Sequence, residues 1–259
     1  MTTTDFRDRA VLITGASSGI GRATALAFAT AGANLSLTGR DPARLKDAVT
    51  ACRNQGASRL SSLAIDIAAP GATARLVEQS VTSLGRLDVV VNAAGIIASA
   101  PAIEISDEDF DRMFAVNVRA LFSLSREAIP HLQKTSGNIV NVSSVAGLRP
   151  YPGILAYCAS KAAVDQITRC LAVELGPLGI RVNAVNPGVV ETNLHRAGGM
   201  DEQSYAAFLE RGKKTHPLGR VGQPEEVAHS ILFLASSQAA WVSGTTLSVD
   251  GGRAQTALR

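Results

Sequence analysis

The chain has 259 residues, 46% of them apolar but only 4% aromatic, and its formal net charge of +3 is small and scattered. That charge excludes nucleic acid as an expected partner. A core of Ala, Val, Leu and Ile suits buried parallel strands flanked by helices. No linker, repeat or charge block divides the chain, so one domain over 1–259 is expected.

The first ten residues carry no apolar secretory run. Ala10 to Ile13 reads as a strand, followed by Thr14-Gly-Ala-Ser-Ser-Gly-Ile-Gly21 and an Ala-rich helix to about Ala31, closed by Gly32 as a left-handed cap. Strand, glycine turn and helix N-terminus together make an anion site: bare amides and the positive end of the helix dipole converge. Gly15, Gly19 and Gly21 let a pyrophosphate approach the backbone, beside Ser17, Ser18 and Ile20.

A second strand, Asn34 to Thr38, ends in Gly39-Arg40. An Arg at that place suits a ribose 2′-phosphate, where a carboxylate would hold a 2′-hydroxyl. Asp41 precedes Pro42 and a helix (Ala43 to Gln55), so it reads as an N-cap. Arg40 is therefore the expected reader, and NADP(H) the expected cofactor, with NAD the alternative.

Ser58 to Ile65 reads as a third strand ending in Asp66-Ile67, where the carboxylate either accepts from an adenine amino group or caps the following turn. A helix (Thr73 to Leu84) and an apolar strand (Leu87 to Val91) follow. The stretch 87–97 is broken by Asp88 and Asn92 and is too short to span a bilayer. Asn92, Ala93, Ala94 and Gly95 would let a cofactor lie over the backbone. Ser106-Asp-Glu-Asp109 opens a long helix to about Gln133. Asn117 inside it is unfavourable by propensity, so it faces solvent or has a task.

The strand Asn138 to Val142 delivers Ser143 and Ser144 into a Gly/Pro-rich turn, and a helix spans Leu155 to Leu175. Tyr157 and Lys161 share a face of that helix. A phenol, an ammonium and a hydroxyl at one spot suit proton transfer to a substrate oxygen. The strand Ile180 to Val185 leads into Asn186-Pro-Gly-Val-Val-Glu-Thr192. The charged segment 193–216 reads as a substrate lid with a short helix, Glu202 to Glu210. Another helix (Pro224 to Leu234) and a strand (Thr245 to Val249) close the pattern.

Cys52, Cys158 and Cys170 are odd in number and form no C-x-x-C pair, so reduced thiols and a cytoplasmic setting are expected. The histidines 131, 195, 216 and 229 show no metal-ligand spacing, so no metal is expected.

Strands and helices alternate throughout. The connection rules give an α/β, doubly wound, mainly parallel sheet with helices on both faces, its ligands beyond the strands' carboxyl ends.

From Val11 to Gly252 the sequence closely resembles the short-chain dehydrogenase/reductase family. The likeness rests on Thr14-Gly-x-x-x-Gly-Ile-Gly21, Asn92-Ala-Ala-Gly95, Asn117, Ser144, Tyr157-x-x-x-Lys161 and Asn186-Pro-Gly188. The resemblance implies a Rossmann-type, seven-stranded sheet and a homotetramer. It implies a nicotinamide cofactor held also by Pro187, Gly188, Val190 and Thr192, and a carbonyl or alcohol substrate. Tyr157 is implied as general acid/base, with its phenol depressed by the Lys161 cation together with the positive nicotinamide; Lys161 also holds the nicotinamide ribose. Ser144 would bind the substrate oxygen and Asn117 a relay water.

Ala93 stands where the family often has a second Asn. Ser17 stands where some NADP-preferring members carry a basic residue, so the phosphate reading rests on Arg40. Val145, Ala146, Tyr151, Val189 and His195 are expected to line the substrate pocket, which leans apolar. A second reading is an NAD-dependent alcohol, sterol or sugar dehydrogenase; one of another class is a non-catalytic dinucleotide-sensing regulator.

Overall fold

The computed structural model describes residues 5–256. Seven strands form one parallel sheet: β1 (Ala10–Ile13), β2 (Asn34–Gly39), β3 (Leu60–Ala64), β4 (Val89–Asn92), β5 (Asn138–Val142), β6 (Arg181–Pro187) and β7 (Thr246–Val249). Their spatial order is β3-β2-β1-β4-β5-β6-β7, so the winding reverses between β1 and β4. A crevice beyond the carboxyl ends is forced at that point. The helices are α1 (Gly19–Thr30), α2 (Pro42–Asn54), α3 (Ala72–Leu84), α4 (Asp107–Phe114), α5 (Leu121–Gln133), α6 (Val145–Leu148), α7 (Leu155–Leu175), α8 (Leu194–Ala197), α9 (Glu202–Thr215) and α10 (Pro224–Ala235).

The period-2 alternation of the strands sorts the core into two faces. Val11, Ile13, Val89 and Val91 pack with Phe28, Leu45 and Ile231 from α1, α2 and α10. Leu12, Val90 and Ile139 pack with Leu76, Leu124 and Leu171 from α3, α5 and α7. Below the sheet's amino end, buried Asp88 accepts from the Ala10 N–H at 2.9 Å and from Arg9 and Arg86 at 2.9 and 2.7 Å.

Several boundaries differ from expectation. The edge strand β3 is shorter, and the Ser58 hydroxyl ahead of it donates to the Asn34 side chain at 3.1 Å. The strand β6 is longer: Asn186 and Pro187 pair with Ser248 and Val249. Helix α9 runs on to Thr215, with Gly212 packed against Val221 and Val189 and two lysines in its last turn. The turn after Ser144 is the short helix α6, capped by the Ser144 side chain accepting from the Ala146 N–H at 3.1 Å. The expected single helix 106–133 is instead α4 and α5 joined through a π-helical segment, Ala115–Ala120. That segment contains Asn117. Gly32 is left-handed, φ +83°, and Asp41 caps α2 through the Ala43 and Arg44 amides, both as expected.

Candidate active site

A cavity of about 1000 Å³ runs along the carboxyl ends of the strands. One end is lined by Gly39, Arg40, Asp41, Asp66 and Ile67. Its middle passes the glycine turn, where Gly15 and Gly19 have φ of +66° and +52°. A Cβ on Gly21 would lie 2.3 Å from the Gly15 carbonyl oxygen, and one on Gly15 would lie 2.8 Å from that of Ala93. Only glycine fits this cradle, and Gly39 closes against Ser17 in the same way. Asp66 lines the cavity and caps the following turn, accepting from the Ala68 N–H at 3.0 Å.

The opposite wall is Ser144, Tyr157 and Lys161, with Val145, Ala146, Pro187, Gly188, Val189, Val190 and Thr192 around it. Tyr157 and Lys161 are buried, and the Lys161 Nζ lies 5.7 Å from the Tyr157 ring centroid. That nitrogen donates to the Val142 carbonyl at 2.8 Å. Burial lowers the Lys161 ammonium to about 8, opposed by the charge of Asp165.

The expected depression of the Tyr157 phenol counts on the nicotinamide charge as well as on Lys161; the protein groups alone pull the other way. Burial pushes the phenol up to about 12, and the interaction with the Ser144 hydroxyl opposes this only in part. The Val142 carbonyl steadies the ammonium, and burial of the phenol outweighs what its neighbours return.

Two expected site residues do not line the cavity. The Asn92 Nδ2 turns inward, donating to Asn141 Oδ1 at 2.9 Å and Ser125 Oγ at 3.2 Å, and so ties β4 to β5 and α5. Asn117 lies behind the wall, buried in the π segment. Its Oδ1 accepts from the Ile96 N–H at 2.9 Å. Its Nδ2 donates to the Ile96 carbonyl at 3.0 Å and the Ser160 hydroxyl at 3.1 Å. The task is thus to fix the loop after β4 against α7, with Gly95 between Asn117 and Lys161.

Segment 193–216 covers the outer part of the cavity with Leu194, His195, Met200 and Phe208. Two polar atoms stand within this mainly apolar lining. The Tyr151 hydroxyl and the His195 Nδ1 are buried without a hydrogen-bond partner. His195 stacks on Phe208 at 4.3 Å, and burial lowers its imidazole below the usual value. Arg112 and Arg211 line the same part of the cavity.

Two features were missed by sequence reasoning. Asp165 continues the Tyr157–Lys161 face one turn further, so helical spacing alone could have found it. His216 bonds the Val189 N–H, a contact no local pattern signals.

A family model described as enoyl-(acyl carrier protein) reductase matches residues 15–254. A crystal structure of a short-chain dehydrogenase/reductase of unknown function from Caenorhabditis elegans, with cofactor, superposes with a TM-score of 0.93 at 35% identity, covering 97% of each chain. The chain belongs to the short-chain dehydrogenase/reductase family. As a member it is an NAD(P)-dependent oxidoreductase, which removes the reading as a non-catalytic regulator. The 3-oxoacyl-[acyl-carrier-protein] reductase FabG of Thermotoga maritima is 39% identical over 93% of this chain and 96% of its own. The L-xylulose reductase of Mesocricetus auratus is also 39% identical, over 94% of this chain and 96% of its own.

Among the described residues, no helix is long and apolar enough to cross a membrane, and no cluster of His, Cys, Asp or Glu could hold a metal ion. The three cysteines are free.

Proposed function

We propose that the protein reduces a small-molecule carbonyl to a secondary alcohol with NADP(H), using Tyr157 as the proton donor. The observation that carries the reading is the meeting of the Tyr157 phenol, the Ser144 hydroxyl and the Lys161 ammonium on one wall of the cavity that begins at the glycine turn. The residues fit a dinucleotide: only glycine fits the cradle, and its amides suit a pyrophosphate. Arg40, exposed at the far end, and the Ser17 hydroxyl against Gly39 suit a 2′-phosphate. Asp66, Ile67 and residues 93–95 would flank the adenine side, and Pro187, Gly188, Val190 and Thr192 the nicotinamide side. When bound, the cofactor supplies or accepts the hydride.

The chain's own part is positioning and proton movement. The Ser144 hydroxyl donates to the carbonyl oxygen. The Tyr157 Oη gives its proton to that oxygen as it gains charge. Lys161 stabilises the phenolate left behind and holds the ribose hydroxyls, while Asn117 keeps the loop at Ile96 in place beside it. Burial keeps the phenol protonated at neutral pH, so the proton to be given is in place before the carbonyl oxygen gains charge.

Tyr157→Phe tests the reading, assayed on carbonyls and alcohols with NADPH, NADH and their oxidised forms. Turnover should fall by about 10²–10⁴-fold with dinucleotide binding retained. Near-normal turnover would refute it.

A second reading, a polyhydroxylated carbonyl rather than an acyl substrate, is favoured by the unpartnered Tyr151 hydroxyl and His195 Nδ1. It agrees with the L-xylulose reductase and the D-erythrulose reductase of Gallus gallus among the relatives. Higher kcat/KM on ketoses than on 3-oxoacyl thioesters would decide for it.

One domain over 1–259, with 193–216 closing over the substrate, fits the site. The exposed Phe122 and Val173 on α5 and α7 fit a homotetramer, which light scattering would test. The free thiols fit a cytoplasmic setting.

A further inference from the structure

Asp165 is 2% exposed and stands one helical turn beyond Lys161 on the face that carries Tyr157. The Asn186 Nδ2 donates to it from 3.1 and 3.0 Å and to the Ser144 carbonyl from 2.9 Å. The Ser143 hydroxyl donates to the Lys161 carbonyl at 3.1 Å, which ties the end of β5 to α7 beside the carboxylate. Helix α6 lies directly on it: a Cβ on Gly147 would be 2.6 Å from Asp165 Oδ2 and 2.8 Å from the Lys161 carbonyl oxygen. One buried carboxylate thus meets α7, the end of β5 that carries Ser144, and the end of β6 that leads into Pro187.

A buried carboxylate held only for packing would be replaceable by an apolar side chain, since desolvation is costly. Burial does raise the Asp165 carboxyl, and Ser143, Asn186, Arg169 and Lys161 oppose the rise. Its own charge in turn raises Lys161 against desolvation. The charged groups acting on the pair are each other and Arg169 from α7. Ser143 and Asn186 face it from the strand ends, Asn117 from the π segment and Tyr157 from α7.

We propose that Asp165 is a positioning residue of the catalytic site. Through Asn186 its carboxylate fixes the Ser144 segment over α7, and its negative charge, one helical turn from Lys161, keeps that side chain cationic while Tyr157 gives up its proton. The proposal rests on the acid–base reading above.

The test compares Asp165→Asn, Asn186→Ser and Tyr157→Phe with the unaltered protein, on the best carbonyl of the panel. Asp165→Asn keeps shape and loses charge. Its kcat should fall about tenfold or more, and the alkaline limb of its kcat/KM profile should move to lower pH by about half a unit or more. The alkaline loss of NADPH binding, followed by nucleotide fluorescence without turnover, should move the same way. Asn186→Ser keeps the charge and loosens the tie: kcat should fall about fivefold or more with the limb unmoved.

Wild-type kcat and an unmoved limb in Asp165→Asn, beside an inactive Tyr157→Phe, would overturn the assignment alone. Near-normal turnover in Tyr157→Phe would overturn the acid–base reading itself. Should Asp165→Asn not fold, a wild-type kcat in Asn186→Ser would overturn the positioning role.

Discussion

The His216 Nε2 accepts a hydrogen bond from the Val189 N–H at 3.1 Å, while its Nδ1 lies 2.7 Å from the Gly212 carbonyl. The pair of contacts requires the neutral ring with its proton on Nδ1. His216 therefore joins the last turn of α9 to the backbone at the nicotinamide end of the cavity. A Cβ on Gly188 would lie 2.7 Å from His216 Nε2, so the two are in close contact.

Burial lowers the His216 imidazole below its usual value, and nearby Arg253 lowers it further against the pull of Gly212 and Asp250. The unfolded chain then takes up a proton before the folded one does. The stability owed to neutral His216 is complete above about pH 6.5 and is lost as pH falls through the depressed folded value. Thermal melts between pH 7.5 and 5 should show Tm falling with acid, and less steeply in His216→Gln. His195, also shifted down by burial, contributes in the same direction.

Arg40 is exposed at the ribose end of the cavity. Replacing it by Asp trades a phosphate partner for a repulsive charge and offers a hydroxyl acceptor instead. NADPH affinity should fall about 10- to 100-fold, and NADH should bind more tightly. Fluorescence titration of both nucleotides checks this. An unchanged NADPH affinity would show that Arg40 does not read the phosphate.

Asn117→Ala strips both backbone partners from Ile96 and one from Ser160. Leaving buried backbone groups unpaired costs about 2–4 kcal/mol. Denaturant melts should show that loss, and kcat should fall with it, because the freed loop borders Lys161.

Asp88 offers a control far from the chemistry. Asp88→Ala unpairs the Ala10 N–H and two arginines, and should destabilise the fold by about 2–4 kcal/mol. Activity per folded molecule should be unchanged when folded protein is counted by active-site titration.

The fold was legible because each signal was local. The glycine turn followed an apolar strand, Asp41-Pro42 announced a helix start, and the span of α7 could be read residue for residue. The convergence of Ser144, Tyr157 and Lys161 followed from helical spacing plus the topology. What escaped depended on long-range packing. The side chain of Asn92 turned into the core because Asn141, across one ladder, offered it an acceptor. The phenol of Tyr157 rose because burial outweighed its neighbours, which no spacing encodes. Asn186 lay inside a motif already read, yet its partner Asp165 was 21 residues away.

The π segment has a consequence for how this chain tolerates insertion and deletion. A π turn holds one more residue than an α turn. Deleting that one extra residue within Ala115–Ala120 would let α4 and α5 run together as an ordinary helix with their faces still in phase, so Leu121, Leu124, Ala128 and Leu132 would keep facing the sheet. What would go is the widened turn that carries Asn117, and with it the bonds that hold Ile96. The length of this stretch is therefore fixed by the loop at Ile96 rather than by the core, and a one-residue deletion there should leave the fold standing while freeing that loop.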